Sequence, residues 1–128
     1  MIIKSADISN PARPLALALK WNELVYEEFY AEGDADRAAG RPMNPLYDRE
    51  TNVICKSSVG FINFCVRPLM ALLQKLTARL AAAPPGTITF APGVESTPAM
   101  TTTVIDGVLA ELDANCKHHA EATAKLGL

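Results

Sequence analysis

The sequence has 128 residues, of which 49% are hydrophobic, 20% charged and 6% aromatic, and its formal net charge is −2. This length and apolar content fit one domain with a core of its own. A nearly neutral chain lacks the basic surface of a nucleic-acid-binding protein, and no uninterrupted apolar stretch approaches the ~20 residues of a membrane span. The first residues do not have the pattern of a secretory signal. Three scattered cysteines without a Cys-x-x-Cys pair predict reduced thiols and a cytoplasmic location.

A first long helix is predicted to begin in the proline-containing segment 10–14. Asn10 is a favourable N-cap, and proline is tolerated in the first turn because its missing N–H would be unpaired there. Apolar residues then recur at three- and four-residue spacing and form one face: Leu17, Trp21, Leu24, Val25 and Phe29. Gly33 is expected to break this helix, and Gly40 to end a short helical turn that follows it.

A second long helix is predicted from about Ser57 to Ala82, with a kink near Phe64 because Pro68 lies inside the pattern. Residues 83–103 are rich in Pro, Gly, Thr and Ser and are expected to form an exposed loop. A last helix follows at about 104–124, with Val104, Val108, Leu109 and Leu112 on one face. The only strand candidate, at 88–90, is short. The predicted fold class is therefore all-α.

The second helix is apolar almost all round between Val59 and Val66. Two amphipathic neighbours cannot cover that much apolar surface, and helices of this kind lie in the middle of larger bundles. The chain is therefore expected to be part of a larger helical assembly.

Several segments, in this order, resemble the class I cyclic-nucleotide phosphodiesterases. The matching segments are KSADISNP at 4–11, Trp21, EEFY at 27–30, Gly33 and Asp34 with Gly40, PLYDR at 45–49, KSSVGFI at 56–62 and, more weakly, LDAN at 112–115. The ordered set is far more specific than any single motif. It covers most of the chain.

The resemblance implies a metal-dependent hydrolase that converts cAMP, cGMP or both to 5'-nucleoside monophosphates in signal transduction. The catalytic domain of that family is an all-helical bundle of the HD type that holds two divalent metal ions, zinc with magnesium or manganese. Residues 1–128 would form its C-terminal half. The general-acid histidine and most metal ligands of the family lie in motifs expected upstream of Met1, so no catalytic residue is assigned here. The chain alone is expected to be inactive, and a homodimer of the full-length protein is compatible with this reading.

Asp7 matches an aspartate metal ligand of the family. Oxygen ligands suit magnesium and are accepted by zinc, which supports that role. From spacing alone, a carboxylate in an Asp-x-x-Asn segment is more often a helix cap. The resemblance favours the metal role.

Four further residues match the family's nucleotide pocket. Asn10 corresponds to a residue that lies near the purine, in addition to its expected capping role. Val25 and Phe61 match the apolar clamp on the two faces of the base, a chemistry for which an aromatic ring and a branched side chain are suited. Trp21 matches an aromatic lining position. Taken without the family, all three apolar residues would be ordinary core residues.

Ser58 stands where the family has glutamine, and its neighbours fix the register. A glutamine amide donates and accepts at a purine edge, whereas serine is shorter and has one hydroxyl. The loss of one such contact weakens binding about tenfold to a hundredfold. We therefore expect weakened or altered nucleotide recognition.

The two histidines, His118 and His119, are adjacent on a predicted helix and point about 100° apart, so they are poorly placed to share a metal ion. We expect packing or surface roles for both.

The alternative to an enzyme is a non-catalytic helical module, degenerate or truncated, that binds nucleotide or a partner. Ser58 favours this alternative, whereas the presence of Asp7, Asn10 and Phe61 favours the enzyme.

Overall fold

The computed structural model describes residues 2–83 and 98–127. Its helices are α1 (Ile2–Asp7), α2 (Leu15–Ala38), α3 (Ile54–Phe61), α4 (Arg67–Ala81) and α5 (Pro98–Lys125). Two 3-10 turns, Asn10–Ala12 and Pro45–Tyr47, precede α2 and α3, and a π-helical segment, Ile62–Val66, joins α3 to α4. No strand occurs within the described ranges. The all-α prediction is confirmed.

The start of the first long helix differs from the prediction. α1 was not expected, and Asn10 opens a separate 3-10 turn instead of capping α2. The residue at the N-cap of α2 is Pro14, whose side chain makes no capping hydrogen bond. With its fixed φ and no N–H, proline suits the start of a helix better than the interior. The predicted capping role of Asn10 for the long helix is therefore wrong.

Gly33 does not break the helix, because α2 continues to Ala38. Gly40, which follows the C-cap residue Ala39, has a φ of +64°. A glycine is needed at position 33 because the backbone of Tyr47 approaches α2 closely there. A Cβ atom at this position would lie 2.1 Å from the carbonyl oxygen of Tyr47. The loop after α2 is held to the helix by ion pairs from Arg37 to Asp48, at 2.7 Å, and from Arg49 to Asp34.

The second predicted helix begins three residues earlier than expected, at Ile54. Near Phe64, where a kink was predicted, the structure has the π-helical segment, in which the Arg67 N–H donates to the carbonyl oxygen of Ile62. Pro68 has no N–H to donate to a carbonyl one turn earlier, so the regular α-helical register is not enforced at this point.

The predicted loop at 83–103 is wrong over its last six residues, because α5 begins at Pro98. Residues 84–97, which include the short strand candidate, lie outside the described part. The predicted apolar face of the last helix is correct for Leu112, Val108 and Leu109, which pack in the core, but Val104 is exposed and Ile105 is buried instead.

The core lies where α5 crosses the middle of the long α3–α4 helical stretch. Its buried members are Ala12, Ile62, Val66, Met70 and Leu112. Two polar contacts, from Arg67 to Asp113 and from Gln74 to Asp106, link α4 to α5. The opposite side of the stretch is exposed, with Phe64 at 85%. This unpaired apolar side agrees with the prediction of a larger assembly.

By length and composition alone, the stretch Ile54–Ala81 is also apolar enough to cross a membrane. Core helices of soluble proteins pass the same test, and this stretch supplies Ile62, Val66 and Met70 to the core. The stretch therefore does not establish a membrane span, and the expected absence of one stays a prediction.

Candidate functional site

A cavity of about 320 Å³ opens between the N-terminal segment, α2, α3 and α5. Its lining consists of Asp7, Ile8, Asn10, Pro11, Ala18, Trp21, Asn22, Val25, Tyr26, Phe29, Leu46, Ser57, Ser58, Phe61, Ile62, Asn115 and His119. All the site residues predicted from the sequence are in this set: Asp7, Asn10, Trp21, Val25, Ser58 and Phe61. The structure brings them together around one space, and their individual roles stay predictions.

Asp7 is the last residue of α1 and stands at the cavity with an exposed carboxylate. The Lys4 ammonium group lies 2.6 Å from Asp7 Oδ2, one turn earlier in the same helix. Within residues 2–83 and 98–127, no group of three or more His, Cys, Asp or Glu side chains is arranged to hold a metal ion. Asp7 can thus contribute one oxygen ligand, and the described residues do not form a complete metal site.

The apolar wall of the cavity comes mainly from α2. Trp21, Val25 and Phe29 are spaced four residues apart, so they project from one side of the helix. Phe61 on α3 also borders the cavity and keeps 42% of its surface exposed. The lining therefore offers aromatic and branched apolar groups to a flat ligand.

Ser58 is buried, with 6% of its surface exposed, although it lines the cavity. Its hydroxyl donates a hydrogen bond to Asn22 Oδ1 at 3.2 Å. Asn22 was not predicted as a site residue, because a lone polar residue on a long helix is usually solvated. The structure shows that the serine is paired with a second polar side chain in the cavity wall.

A chain of polar contacts continues beyond Ser58 and connects α2 to α3. Burial raises the pKa of Tyr26, and the hydroxyls of Ser58 and Ser57 oppose that rise through hydrogen bonding. Ser57 also donates to Asn52 Oδ1, and Asn52 Nδ2 donates to the Tyr30 hydroxyl at 3.2 Å. These contacts hold α3 in one orientation against α2. They thereby position the polar residues of the cavity wall.

α5 contributes Asn115 and His119, neither of which was assigned to the site from the sequence. Asn115 is 1% exposed, and its Nδ2 donates to the carbonyl oxygens of Pro11 and Arg13. His118 is exposed, as expected for a surface role, but His119 is buried and lines the cavity. Burial lowers the pKa of His119, and the charge of His118 acts in the same direction.

The spacing around Leu112 could have indicated this placement. Leu112, Asn115 and His119 follow one another at three- and four-residue intervals, so an apolar Leu112 predicts that the other two share its buried face.

A family model described as "3'5'-cyclic nucleotide phosphodiesterase" matches residues 1–84. The chain belongs to this phosphodiesterase family. The matched part includes every cavity residue except Asn115 and His119. Resemblance at the sequence level and membership by the family model therefore agree.

Curated relatives include a probable 3',5'-cyclic phosphodiesterase of Caenorhabditis elegans, 40% identical over 99 residues and covering 74% of this chain and 15% of the relative. A 3',5'-cyclic-AMP phosphodiesterase of Drosophila melanogaster is 44% identical over 68 residues, which are 53% of this chain and 10% of the relative. A dual specificity calcium/calmodulin-dependent 3',5'-cyclic nucleotide phosphodiesterase of Mus musculus is 36% identical over 80 residues, which are 62% of this chain and 11% of the relative. This phosphodiesterase-family chain thus spans a small part of their lengths.

The fold is also similar to the solved structure of LmjPDEB1 in complex with IBMX, with a TM-score of 0.68 and 21% identity. The similarity covers 96% of this chain and 30% of that one. At this identity the comparison shows that the phosphodiesterase-family chain has the same helical arrangement as part of that structure.

Proposed function

We propose that this chain forms the base-binding wall of a catalytic domain that hydrolyses 3',5'-cyclic nucleotides to 5'-nucleoside monophosphates in cytoplasmic signalling. The observation that carries the proposal is the convergence of Asp7, Asn10, Trp21, Val25, Ser58 and Phe61 on one cavity. Family membership supplies the reaction class, and the mostly apolar lining is of the kind that holds a planar heterocycle.

The purine would lie between the apolar side chains of the cavity. Val25 and Phe61 contact its two faces, and Trp21 limits how far it can tilt. Asn10, on the turn between α1 and α2, hydrogen-bonds a polar edge. These contacts orient the cyclic phosphate relative to Asp7 and keep bulk water away from the base.

Asp7 would serve as one ligand of a pair of divalent metal ions, zinc with magnesium or manganese. Such a pair supplies a hydroxide nucleophile and neutralises charge on the phosphate. Asp7 suits this role because its carboxylate is exposed and borders the cavity. The Lys4 ammonium group pairs with this carboxylate, and a metal ion bound to Asp7 would take its place. The remaining ligands would come from parts of the domain that this sequence does not include.

The second candidate is a non-catalytic module that binds a cyclic nucleotide without hydrolysing it. Ser58 favours this candidate, because it replaces an amide that donates and accepts with one hydroxyl that is already paired to Asn22. The two candidates differ in turnover, so one experiment separates them.

The test is a chimera in which residues 1–83 replace the matching segment in the catalytic domain of the 40% identical Caenorhabditis elegans relative. We expect hydrolysis of cAMP, cGMP or both in the presence of divalent metal ions. Asp7→Asn should lower the rate at least about a hundredfold, because the metal loses a charged ligand. The matched control is Asp36→Asn, a carboxylate on α2 outside the cavity, which should keep the rate.

A chimera that melts cooperatively yet hydrolyses neither nucleotide would contradict the enzyme proposal. In that case the 128-residue chain is titrated with cAMP and cGMP while the fluorescence of Trp21, its single tryptophan, is followed. A saturable change without turnover would establish the binding module. Equal rates for the parent chimera and Asp7→Asn would contradict the metal role of Asp7.

A further inference from the structure

Asn22 and Ser58 form a polar pair in a largely apolar cavity. Asn22 projects from α2 between Ala18 and Tyr26, and Ser58 faces it from α3. The Ser58 hydroxyl donates to Asn22 Oδ1 at 3.2 Å. Since the serine is almost fully buried, this bond has little competition from water.

The hydrogen bond fixes which part of the amide is left for a ligand. A carboxamide carries one acceptor oxygen and two donor hydrogens. With Oδ1 engaged by Ser58, the Nδ2 group is the polar part of this cavity-lining side chain that is left for a ligand. Asn22 therefore offers the cavity a hydrogen-bond donor.

A planar ligand can meet this donor only with its edge. The neighbouring residues Trp21 and Val25 contribute apolar surface to the same cavity wall, which suits the faces of a ring and not its polar rim. An acceptor on the ring edge satisfies Nδ2, whereas a donor at the same point leaves two donors facing each other without water, which is unfavourable.

We propose that Asn22, oriented by Ser58, is a specificity-determining residue that favours 6-oxopurine over 6-aminopurine nucleotides in this cavity. Guanine and hypoxanthine present a carbonyl oxygen at C6, and adenine presents an amino group there. This inference rests on the proposed function, because it assumes that the cavity holds the base of a cyclic nucleotide. Ser58 acts as a positioning residue, since its hydroxyl donates to Asn22.

Substitutions of Asn22 and Ser58 should change the nucleotide preference in different ways. Asn22→Asp keeps the shape and can still accept the Ser58 hydrogen bond, but it presents an acceptor instead of a donor. Ser58→Ala leaves the donor in place but frees the amide to turn over and present Oδ1. The first change is expected to reverse the preference, and the second to remove most of it.

The experiment is a calorimetric titration of the 128-residue chain with cGMP, cIMP and cAMP at pH 7.5. cGMP and cIMP should bind about five- to tenfold more tightly than cAMP, the value of one satisfied against one unsatisfied buried hydrogen bond. cIMP has the C6 oxygen of cGMP but lacks its 2-amino group. Similar dissociation constants for cGMP and cIMP would therefore show that the C6 oxygen, and not the 2-amino group, is recognised. Asn63→Asp, which changes an exposed amide outside the cavity, is the matched control and should keep the parent ratio.

The outcomes distinguish this inference from the proposed function. If all three nucleotides bind equally, or if Asn22→Asp keeps the parent preference, the specificity role is overturned while the base-binding cavity stands. If none of the three binds to the folded chain, both the cavity assignment and the inference are overturned. A reversed preference in Asn22→Asp together with a reduced one in Ser58→Ala supports the pair as described.

Discussion

The Asn115 Nδ2 group donates a hydrogen bond to the carbonyl oxygen of Pro11 at 2.8 Å, between residues 104 positions apart in the sequence. The same group donates to the carbonyl oxygen of Arg13 at 2.7 Å. The segment between α1 and α2 therefore has its backbone groups satisfied by a side chain of α5. Since Asp7 and Asn10 lie on or next to this segment, α5 supports one wall of the cavity from outside the part matched by the family model.

Asn115→Ala should lower the free energy of unfolding by about 2–4 kcal/mol, because the backbone carbonyl groups of Pro11 and Arg13 lose their shared donor and the buried Asn115 side chain leaves a cavity. Urea denaturation followed by circular dichroism measures this change. The matched control is Asn63→Ala, an exposed asparagine on the π-helical segment, which should cost less than about 1 kcal/mol. Equal losses in the two variants would contradict a special role for Asn115.

Gly33→Ala should be strongly destabilising, by about 2 kcal/mol or more, because the added Cβ would lie 2.1 Å from the Tyr47 carbonyl oxygen and backbone cannot move aside cheaply. Gly107→Ala is the matched comparison, since it is also a helical glycine and has nothing within 4 Å of the added atom. It should stabilise the chain by about 0.5–1 kcal/mol. Thermal melting of both variants gives the comparison, and a neutral Gly33→Ala would show that the loop does not approach α2 so closely.

Ser58→Gln restores the residue that the phosphodiesterase resemblance leads us to expect. Introduced into the active chimera, it should change the Michaelis constant for at least one cyclic nucleotide by about tenfold, the value of one hydrogen bond gained or lost at the base. Steady-state kinetics with cAMP and cGMP provide the measurement. If the Michaelis constants for both substrates stay as they are, position 58 has no part in base recognition.

His119 should make the stability of the chain decline in mild acid. Burial first, and the neighbouring His118 second, hold the pKa of His119 below its ordinary value of 6.5. As the pH falls through about 6.5, the unfolded chain takes up a proton that the folded chain resists, so the free energy of unfolding falls and levels off below the folded-state pKa.

His119→Gln removes this contribution, so its stability should fall less between pH 7.5 and pH 5.5 than that of the parent chain. His118→Gln, a change at the exposed neighbour, should keep most of the parent's slope. Denaturant melts at a series of pH values give both slopes. Identical profiles for the parent and His119→Gln would show that the imidazole is not shielded from water.

Sequence periodicity was sufficient for the all-helical fold and for the interruption near Phe64, because both follow from local rules about helix faces and proline. It was misleading where tertiary contacts decide. Glycine often marks a helix break, so Gly33 was predicted to end the helix. The structure shows instead that Gly33 is needed because the Tyr47 backbone lies where a Cβ atom would be. α5 starts at Pro98 because proline favours a first turn, although the following threonines have low helix propensity and suggested a loop.

The cavity residues that match the family's motifs were predicted from the sequence. The cavity residues that only tertiary packing brings to the site were not predicted. Asn22, Tyr26 and Tyr30 lie at four-residue intervals on α2 and form polar contacts with α3 and with Asn52, which precedes it. In the sequence such residues look like a solvated face, because nothing local shows that a second helix with serines will cover them. The same reasoning applies to His119, whose partners across the cavity lie far away in the sequence.

The π-helical segment determines how the two halves of the longest helical stretch are rotated relative to each other. Ser58 and Phe61 before it face the cavity, and Val66 and Met70 within and after it face the core. A π turn takes up about one residue more than an α turn, and an α-helix advances about 100° per residue, so winding the same residues Ile62–Val66 as regular α-helix would turn one half by about that angle. The π-helical segment therefore sets the rotation of α3 relative to α4. When α4 packs in the core, this rotation determines which side chains of α3 line the cavity.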